Sequence, residues 1–277
     1  MQHVTTHPDM AKVAEIIAEV AAAAIMPRFR KLAAGEISTK EGPHDFLTIA
    51  DTEAEHLLSR RLPALVPGSV MVGEEACSAD PGLFGRLGEA APAWLVDPVD
   101  GTMNFATGLP LFGVMVAYAV GGETIAGWIH DPVNGRSAMA ARGEGTWIDG
   151  RRVTLAGPRR LDSMHGIIAF RTGDRARAAR MAARSDRLAS VLILRCAAHE
   201  YLALLEGGAH FAFYNRIMPW DHAPGVCMVE EAGGYACRLD GRRYRPGDPP
   251  TGGASLLVAV DEEHWQLVHQ GIVAEEA

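Results

Sequence analysis

Apolar positions along the chain follow two different periods. Val13, Ile16, Ile17, Val20 and Ile25 recur at helical spacing, and Gly35 ends the pattern, so residues 8–33 are predicted as one long amphipathic helix. A polar Gly-Pro loop and a short apolar patch at residues 46–49 lead into a second helix starting near Asp51, whose Glu53 and Glu55 suit the positive end of a helix dipole. The period then shortens to that of strands. Residues 70–72 run into Gly73-Glu74-Glu75, and residues 93–96 run into Asp97, so both strands deliver acids at their ends. After Pro110, apolar runs separated by Gly-Gly, Pro-Val-Asn-Gly and Asp-Gly turns predict an antiparallel meander of hairpins. Beyond Pro158, strands and helices alternate. Strands are predicted at 167–170, 191–194, 211–213 and 255–260, with helices at 174–185, 199–206, 222–232 and from about Glu262. The expected class is α/β (α+β), with an N-terminal lobe over residues 1–154 and a C-terminal lobe over 155–277. No internal repeat interrupts this order.

Composition narrows the classes of function. The chain has 277 residues, 48% of them hydrophobic, enough for a substantial core in one large unit or two smaller ones. A formal net charge of -8 leaves no broad basic field, which argues against nucleic acid as a partner. Cys77, Cys196, Cys227 and Cys237 form no C-x-x-C pair and read as reduced, buried thiols. The first residues, MQHVTTHPDMAKVAEII, carry Asp9, Lys12 and Glu15 where a signal peptide needs an unbroken apolar run. Nor does any stretch approach the roughly 18 apolar residues of a membrane span, so a cytoplasmic protein is expected.

The candidate chemistry sits in WLVDPVDGTMNF, residues 94–105, where an apolar strand meets two aspartates, a proline and a glycine. Asp-Gly alone is an ordinary turn pair. Here Asp97 is expected to end the strand, Pro98 to stop the ladder, and the bend to return Asp100 beside Asp97. Two carboxylates that close repel each other unless a cation lies between them, and oxygen-only ligands suit a hard divalent ion, magnesium best. If Thr102 opens a helical turn, the amides of Gly101 and Thr102 form an anion cradle beside that metal.

Further motifs accompany this one in order: Lys40, then LTIAD ending at Asp51, VGEE with Glu74 and Glu75, Gly108-Leu109-Pro110, PWDHAPG with Asp221, and EEAGG at 230–234. Together they make the chain resemble the inositol monophosphatase family of magnesium-dependent, lithium-sensitive phosphatases over almost its whole length. The resemblance implies a layered α-β-α-β-α sandwich of the inositol monophosphatase and fructose-1,6-bisphosphatase type, and commonly a homodimer. It implies that Glu74, Asp97 and the carbonyl of Val99 hold one magnesium while Asp97, Asp100 and Asp221 hold a second, with two or three ions per site. It further implies that Asp51 and Thr102 orient and deprotonate the attacking water, that the Gly101 and Thr102 amides bind phosphate, and that Glu75 supports them. Lys40 lies on a loop that in the family approaches the site. The implied substrate is a small phosphorylated metabolite: inositol monophosphate, or alternatively histidinol phosphate, a sugar bisphosphate or a nucleotide 3'-phosphate. The reading from another class is a regulatory binding protein on the same scaffold.

Two positions depart from inositol-selective members. An acid stands seven residues before the WD aspartate in those members, where this chain has Tyr214, and their glycine and small polar residue are replaced in Arg195-Cys196-Ala197-Ala198. Arg195 either binds a second anionic group through its planar fork or pairs with Glu200 or another acid. Ala197 and Tyr214 are the other candidate pocket residues. Trp94 and Trp220, flanking metal-site aspartates, are expected to wall the site by packing. His130-Asp131-Pro132 reads as a hairpin turn, and the basic run at 171–184 as a solvated helix face.

Overall fold

The computed structural model describes residues 7–40, 42, 45–169, 174–248 and 255–274. Pro43 of the Gly-Pro loop, Phe170, the start of the basic run and the first six residues, on which part of the signal-peptide reading rests, lie outside these. The chain begins with α1 (Met10–Val20), capped by Asp9, whose carboxylate accepts from the Lys12 amide. The predicted helix over 8–33 stops short: a π turn covers Ala21–Ile25, a single tighter turn Met26–Arg28, and Phe29 leaves helical geometry. Pro27 explains this, since it lacks the N–H that continues an α-helix. A small hairpin, β1 (Ile37–Thr39) and β2 (Phe46–Thr48), precedes α2 (Ile49–Leu65). Next come β3 (Val70–Gly73), the short α3 (Glu74–Ala79), β4 (Ala93–Asp100) and α4 (Thr102–Ala106).

The predicted meander is β5 (Gly113–Val120), β6 (Glu123–Asp131), β7 (Arg136–Ala141), β8 (Gly145–Ile148) and β9 (Arg151–Val153). It joins β3 and β4 in a seven-stranded sheet in sequence order, antiparallel except for β3 with β4. The remaining elements are β10 (His165–Ile168), α5 (Arg175–Ala183), β11 (Ser190–Leu192), α6 (Ala197–Leu205), β12 (Phe211–Tyr214), α7 (Pro219–Glu231), β13 (Tyr235–Arg238), β14 (Leu256–Ala259) and α8 (Glu262–Val268). They build a five-stranded mixed sheet in the order β11-β10-β12-β14-β13. The pattern did not predict β13, whose YACR lies between a Gly-Gly pair and an Asp-Gly turn.

Three apolar clusters define the layers. Val13, Ile17 and Leu58 of α1 and α2 pack against Trp94, Val96, Val116 and Trp128 on one face of the large sheet. Its other face, with Leu95, Met115 and Ile129, meets Tyr201, Leu204 and Met228 of α6 and α7, which also cover Ala212 and Val258 of the smaller sheet. Met181 of α5 and Trp265 and Val268 of α8 close the far face over Phe211, Phe213 and Leu257. The result is the α-β-α-β-α sandwich that the resemblance implied.

Candidate active site

The site is set by an irregularity in β4. In a regular strand, residues three apart face opposite ways, so Asp97 and Asp100 would point to opposite sides. The pairing with β5 slips between them: Asp97 lies opposite Met115, and Asp100 opposite Gly113. One extra residue is thereby absorbed, which is a bulge. Trp94, Val96 and Val99 consequently pack on the α1/α2 side, while Asp97 and Asp100 share the side facing α6 and α7. The expectation that the strand ends at Asp97 is corrected. Pro98 costs one ladder bond, and the bulge carries β4 past it to Asp100. Trp94 is corrected too: its indole donates to Ser69 Oγ at 3.1 Å and its ring packs on Tyr118, away from the acids. Trp220 does line the cleft by the site, against Phe84.

Each acid is held by a different element. Asp97 Oδ1 accepts from the Val99 amide at 3.0 Å, closing the turn through Pro98. Asp100 Oδ2 accepts from the Ala198 amide at 2.6 Å and from the Cys196 thiol at 3.1 Å, at the start of α6. That approach needs Gly113, because a Cβ there would sit 2.7 Å from Ala198 Cβ. Asp51 belongs to the first turn of α2, where it forms a capping box with Thr48. Its Oδ2 accepts from the Thr48 amide at 2.9 Å and hydroxyl at 2.6 Å, leaving Oδ1 to face Thr102 Oγ1 at 3.1 Å. The Thr102 hydroxyl also lies 2.9 Å from the Val99 carbonyl, so its single proton serves one of two acceptors. Gly101, at φ 83°, supplies the left-handed turn between β4 and α4.

Glu74 and Glu75 open α3, and Lys40 Nζ bridges them at 2.9 and 2.7 Å. The sequence reading missed the residue that anchors this turn. Glu55 of α2 accepts from the amides of Glu75 and Ala76 at 2.9 and 2.8 Å. Gly73 leaves the room for it, since a Cβ there would overlap the Glu55 carboxyl. The only sequence signal was an acid on the helix after LTIAD, which reads equally well as a solvated helix face.

Burial, and behind it the repulsion of neighbouring acids, raises the proton affinity of the carboxyls here. Burial, followed by Glu74, Asp100, Asp221 and Asp51, holds the Asp97 carboxyl well above the usual carboxylate range. Asp221 is pushed up by burial, Glu74 and Asp100, with Arg216 and a hydrogen bond to Asp97 pulling the other way. Burial raises Asp51 to about 6 against its Thr48 bonds, and Glu75 to about 7 against Lys40. Burial opposes the charged form of Lys40, but Glu74 and Glu75 hold its pKa above the ordinary lysine value. Among the described residues, no three His, Cys, Asp or Glu side chains are gathered tightly enough to hold a metal ion as they stand. The donor set nevertheless fits a hard divalent cation by its chemistry. It offers only oxygens, its carboxylates repel one another, and two of them already accept a cation in Lys40.

The pocket candidates separate. Ala197 is half-buried beside Asp100. Tyr214 is packed between Tyr201 and His222, with ring centroids at 5.5 and 4.5 Å, so it cannot present an open pocket wall. Its hydroxyl lies near the Glu200 carboxyl without the alignment of a formed hydrogen bond. Arg195 does not pair with Glu200 through its guanidinium. Glu200 takes the backbone amides of Leu194 and Arg195, while Arg195 Nη1 rests 3.0 Å from Met103 Sδ. Arg195 also adopts φ 55°, a conformation that costs a non-glycine residue about 1 kcal/mol. Arg195→Gly is therefore expected to raise the melting temperature by about two degrees, read by a thermal scan. A fall would show that the Met103 contact outweighs the relieved strain. His130-Asp131 ends β6, and Asp131 Oδ1 accepts from the Val133 and Asn134 amides, which makes it the expected hairpin turn. All four cysteines are buried and free. No helix among the described residues is long and apolar enough to cross a membrane.

Comparison with known proteins agrees with this geometry. Residues 8–275 match the family model described as "Inositol monophosphatase family". An inositol-1-monophosphatase of Mycobacterium leprae is 34% identical over 233 residues, covering 81% of this chain and 77% of that protein. A fructose-1,6-bisphosphatase/inositol-1-monophosphatase of Thermotoga maritima is 30% identical over 207 residues, covering 74% and 76%. Among solved structures, a Thermotoga maritima IMPase superposes with a TM-score of 0.78 at 23% identity, covering 95% of this chain and 97% of that one. That likeness shows the layered fold.

Proposed function

The chain belongs to the inositol monophosphatase family, whose members support a phosphatase function, and from that premise we propose that it is a magnesium-dependent phosphomonoesterase using a metal-activated water. One observation carries the reading: Asp97, Asp100 and Asp221, from two separate elements, have their proton affinity raised by burial and by the acids around them, Glu74 of a third element included, with Asp51, itself paired with Thr102, among the acids acting on Asp97. A structural role does not require acids to be collected at that cost. Glu74, Asp97 and the Val99 carbonyl would hold one magnesium, and Asp97, Asp100 and Asp221 a second, with room in the reading for a third. Bound there, the ions supply a nucleophilic water, neutralise phosphoryl oxygens and stabilise the departing alkoxide.

The chain's own groups do the rest. With Asp51 Oδ2 saturated by Thr48, only Oδ1 is open to receive a proton through the Thr102 hydroxyl. The half-buried Thr102 holds that hydroxyl where a water can reach it. The left-handed Gly101 turns its own amide and that of Thr102 toward the phosphate. Lys40 holds the carboxylates of Glu74 and Glu75 together. The same reading takes the working protein to be a lithium-sensitive, cytoplasmic homodimer with lobes over residues 1–154 and 155–277.

Phosphate release from the chelator-stripped protein tests this, with magnesium restored or withheld and inositol 1-phosphate, histidinol phosphate, fructose 1,6-bisphosphate and adenosine 3',5'-bisphosphate as substrates. Magnesium-dependent turnover of at least one, suppressed by lithium, is expected. Absence of turnover on all of them, with magnesium binding demonstrated, would overturn the enzymatic reading.

A further inference from the structure

Beside the acids lies a cleft of about 600 Å³ whose charged lining is Lys40, Asp45, Glu74, Glu75 and Arg216, with Trp220 as an aromatic wall. That volume suits a small phosphorylated metabolite. Arg216 differs from the other cation in the cleft. Lys40 is committed to Glu74 and Glu75, whereas the exposed Arg216 guanidinium forms no salt bridge or side-chain hydrogen bond among the described residues and acts on Asp221 only through space.

The backbone beneath that free head is fixed. A carbonyl can only accept, so His222 Nε2 donates to the Arg216 carbonyl at 2.9 Å, which leaves Nδ1 to accept from the Tyr201 hydroxyl at 3.1 Å. The neighbouring Asn215 is tied in turn to the Ala169 carbonyl at 2.9 Å. A mobile surface arginine needs no such support, whereas a guanidinium that must meet an anion at a set distance from Asp221 does.

We propose that Arg216 is a specificity-determining residue that binds a second anionic group, a phosphate or a carboxylate, on the alcohol part of the substrate, so that phosphomonoesters carrying this further anion are preferred over those whose alcohol part is uncharged. This rests on the phosphatase reading and sharpens it: the substrate class becomes phosphomonoesters with a further anion some way from the scissile phosphate. The competing role is that Arg216 merely offsets the charge of Asp221.

Matched substrate pairs separate the two on the magnesium-loaded protein: fructose 1,6-bisphosphate with fructose 1-phosphate for a phosphate, and 2-phosphoglycerate with glycerol 2-phosphate for a carboxylate. The wild type is expected to favour the member with the further anion in at least one pair about tenfold or more in kcat/KM, and the pair shows which anion is read. Arg216→Gln is expected to remove that preference through KM with kcat unchanged, to leave the other member within about twofold, and to be partly rescued by Arg216→Lys. An equal loss on both members, or a fall in kcat, would assign Arg216 to Asp221 and overturn the inference, as would a wild type that turns over both members alike. Failure to hydrolyse any member of either pair or of the wider panel would instead bring down the phosphatase reading itself.

Discussion

Replacing Asp97 with asparagine is expected to lower kcat/KM by about a thousandfold, on the order of 4 kcal/mol of transition-state stabilisation, while raising the melting temperature of the chelator-treated protein. The two effects have one cause. Asp97 is the acid on which Glu74, Asp100, Asp221 and Asp51 all act. An amide of the same shape keeps the Oδ1 acceptor for the Val99 amide, so the turn survives and only the charge goes. The pH dependence fixes the sign. A carboxyl whose pKa is raised on folding stabilises the fold below its ordinary value and loses that contribution as pH climbs through the raised one. Wild-type protein in chelator should therefore weaken between pH 5 and 8 more than the variant does, and the variant's advantage should widen with pH. Saturating magnesium should reverse the order, because an ion that binds only the folded state adds about 2.7 kcal/mol at a hundredfold excess over Kd, most of which the variant forgoes. Paired thermal scans in chelator and in magnesium, alongside initial rates, check all three. A variant that melts below wild type in chelator at pH 8, or that keeps a tenth of the activity, would show that Asp97 is not the centre of the repulsion.

What could be read from the chain alone follows from which signals are local. Hydrophobic period placed most of the strands and helices because one face of each is buried against a layer, and the turn pairs of the meander are written in adjacent residues. Glu74, Asp97 and Asp100 stood out because apolar strands run into them, Asp51 because it stands at the start of a helix, and Asp221 only through the PWDHAPG motif that carries part of the family resemblance. The bulge in β4 was not legible. It depends on how β5 accommodates Pro98, and from one strand alone Asp97 and Asp100 would face opposite ways. The same holds for Glu55, whose partners are amides twenty residues on, and for the Cys196 thiol, which reaches Asp100 only because α6 crosses the end of β4. Arg216 carried no sequence signal. Its distinction is a guanidinium with no ion-pair partner among the described residues and a supported backbone, and both are properties of the folded chain.

The same dependence on distant contacts predicts that Gly127→Ala will destabilise the protein by about 3 kcal/mol, at the upper end of overpacking costs, and loosen the cluster of acids with it. Gly127 lies in β6 under the Pro-Gly stretch of α7, where an added Cβ would stand 2.7 Å from Pro224 Cα and 2.9 Å from its carbonyl oxygen. Those are backbone atoms within a helix, so no side-chain rotation relieves the overlap; α7 must lift from the sheet. Asp221 stands three residues before Pro224 on that helix and would move away from Asp97 and Asp100. Gly225 limits the other direction, since it already touches the ring of Tyr201, which is itself tied to His222. Gly85→Ala is the control: nothing lies within 4 Å of an added Cβ there, and its melting temperature should stay within a degree or two of wild type. Denaturant unfolding and magnesium titration of the two variants should separate them, with weaker magnesium binding in Gly127→Ala even at temperatures where it remains folded. Unaltered magnesium affinity in a destabilised but folded Gly127→Ala would mean that Asp221 reaches the acids independently of how closely α7 seats on the sheet.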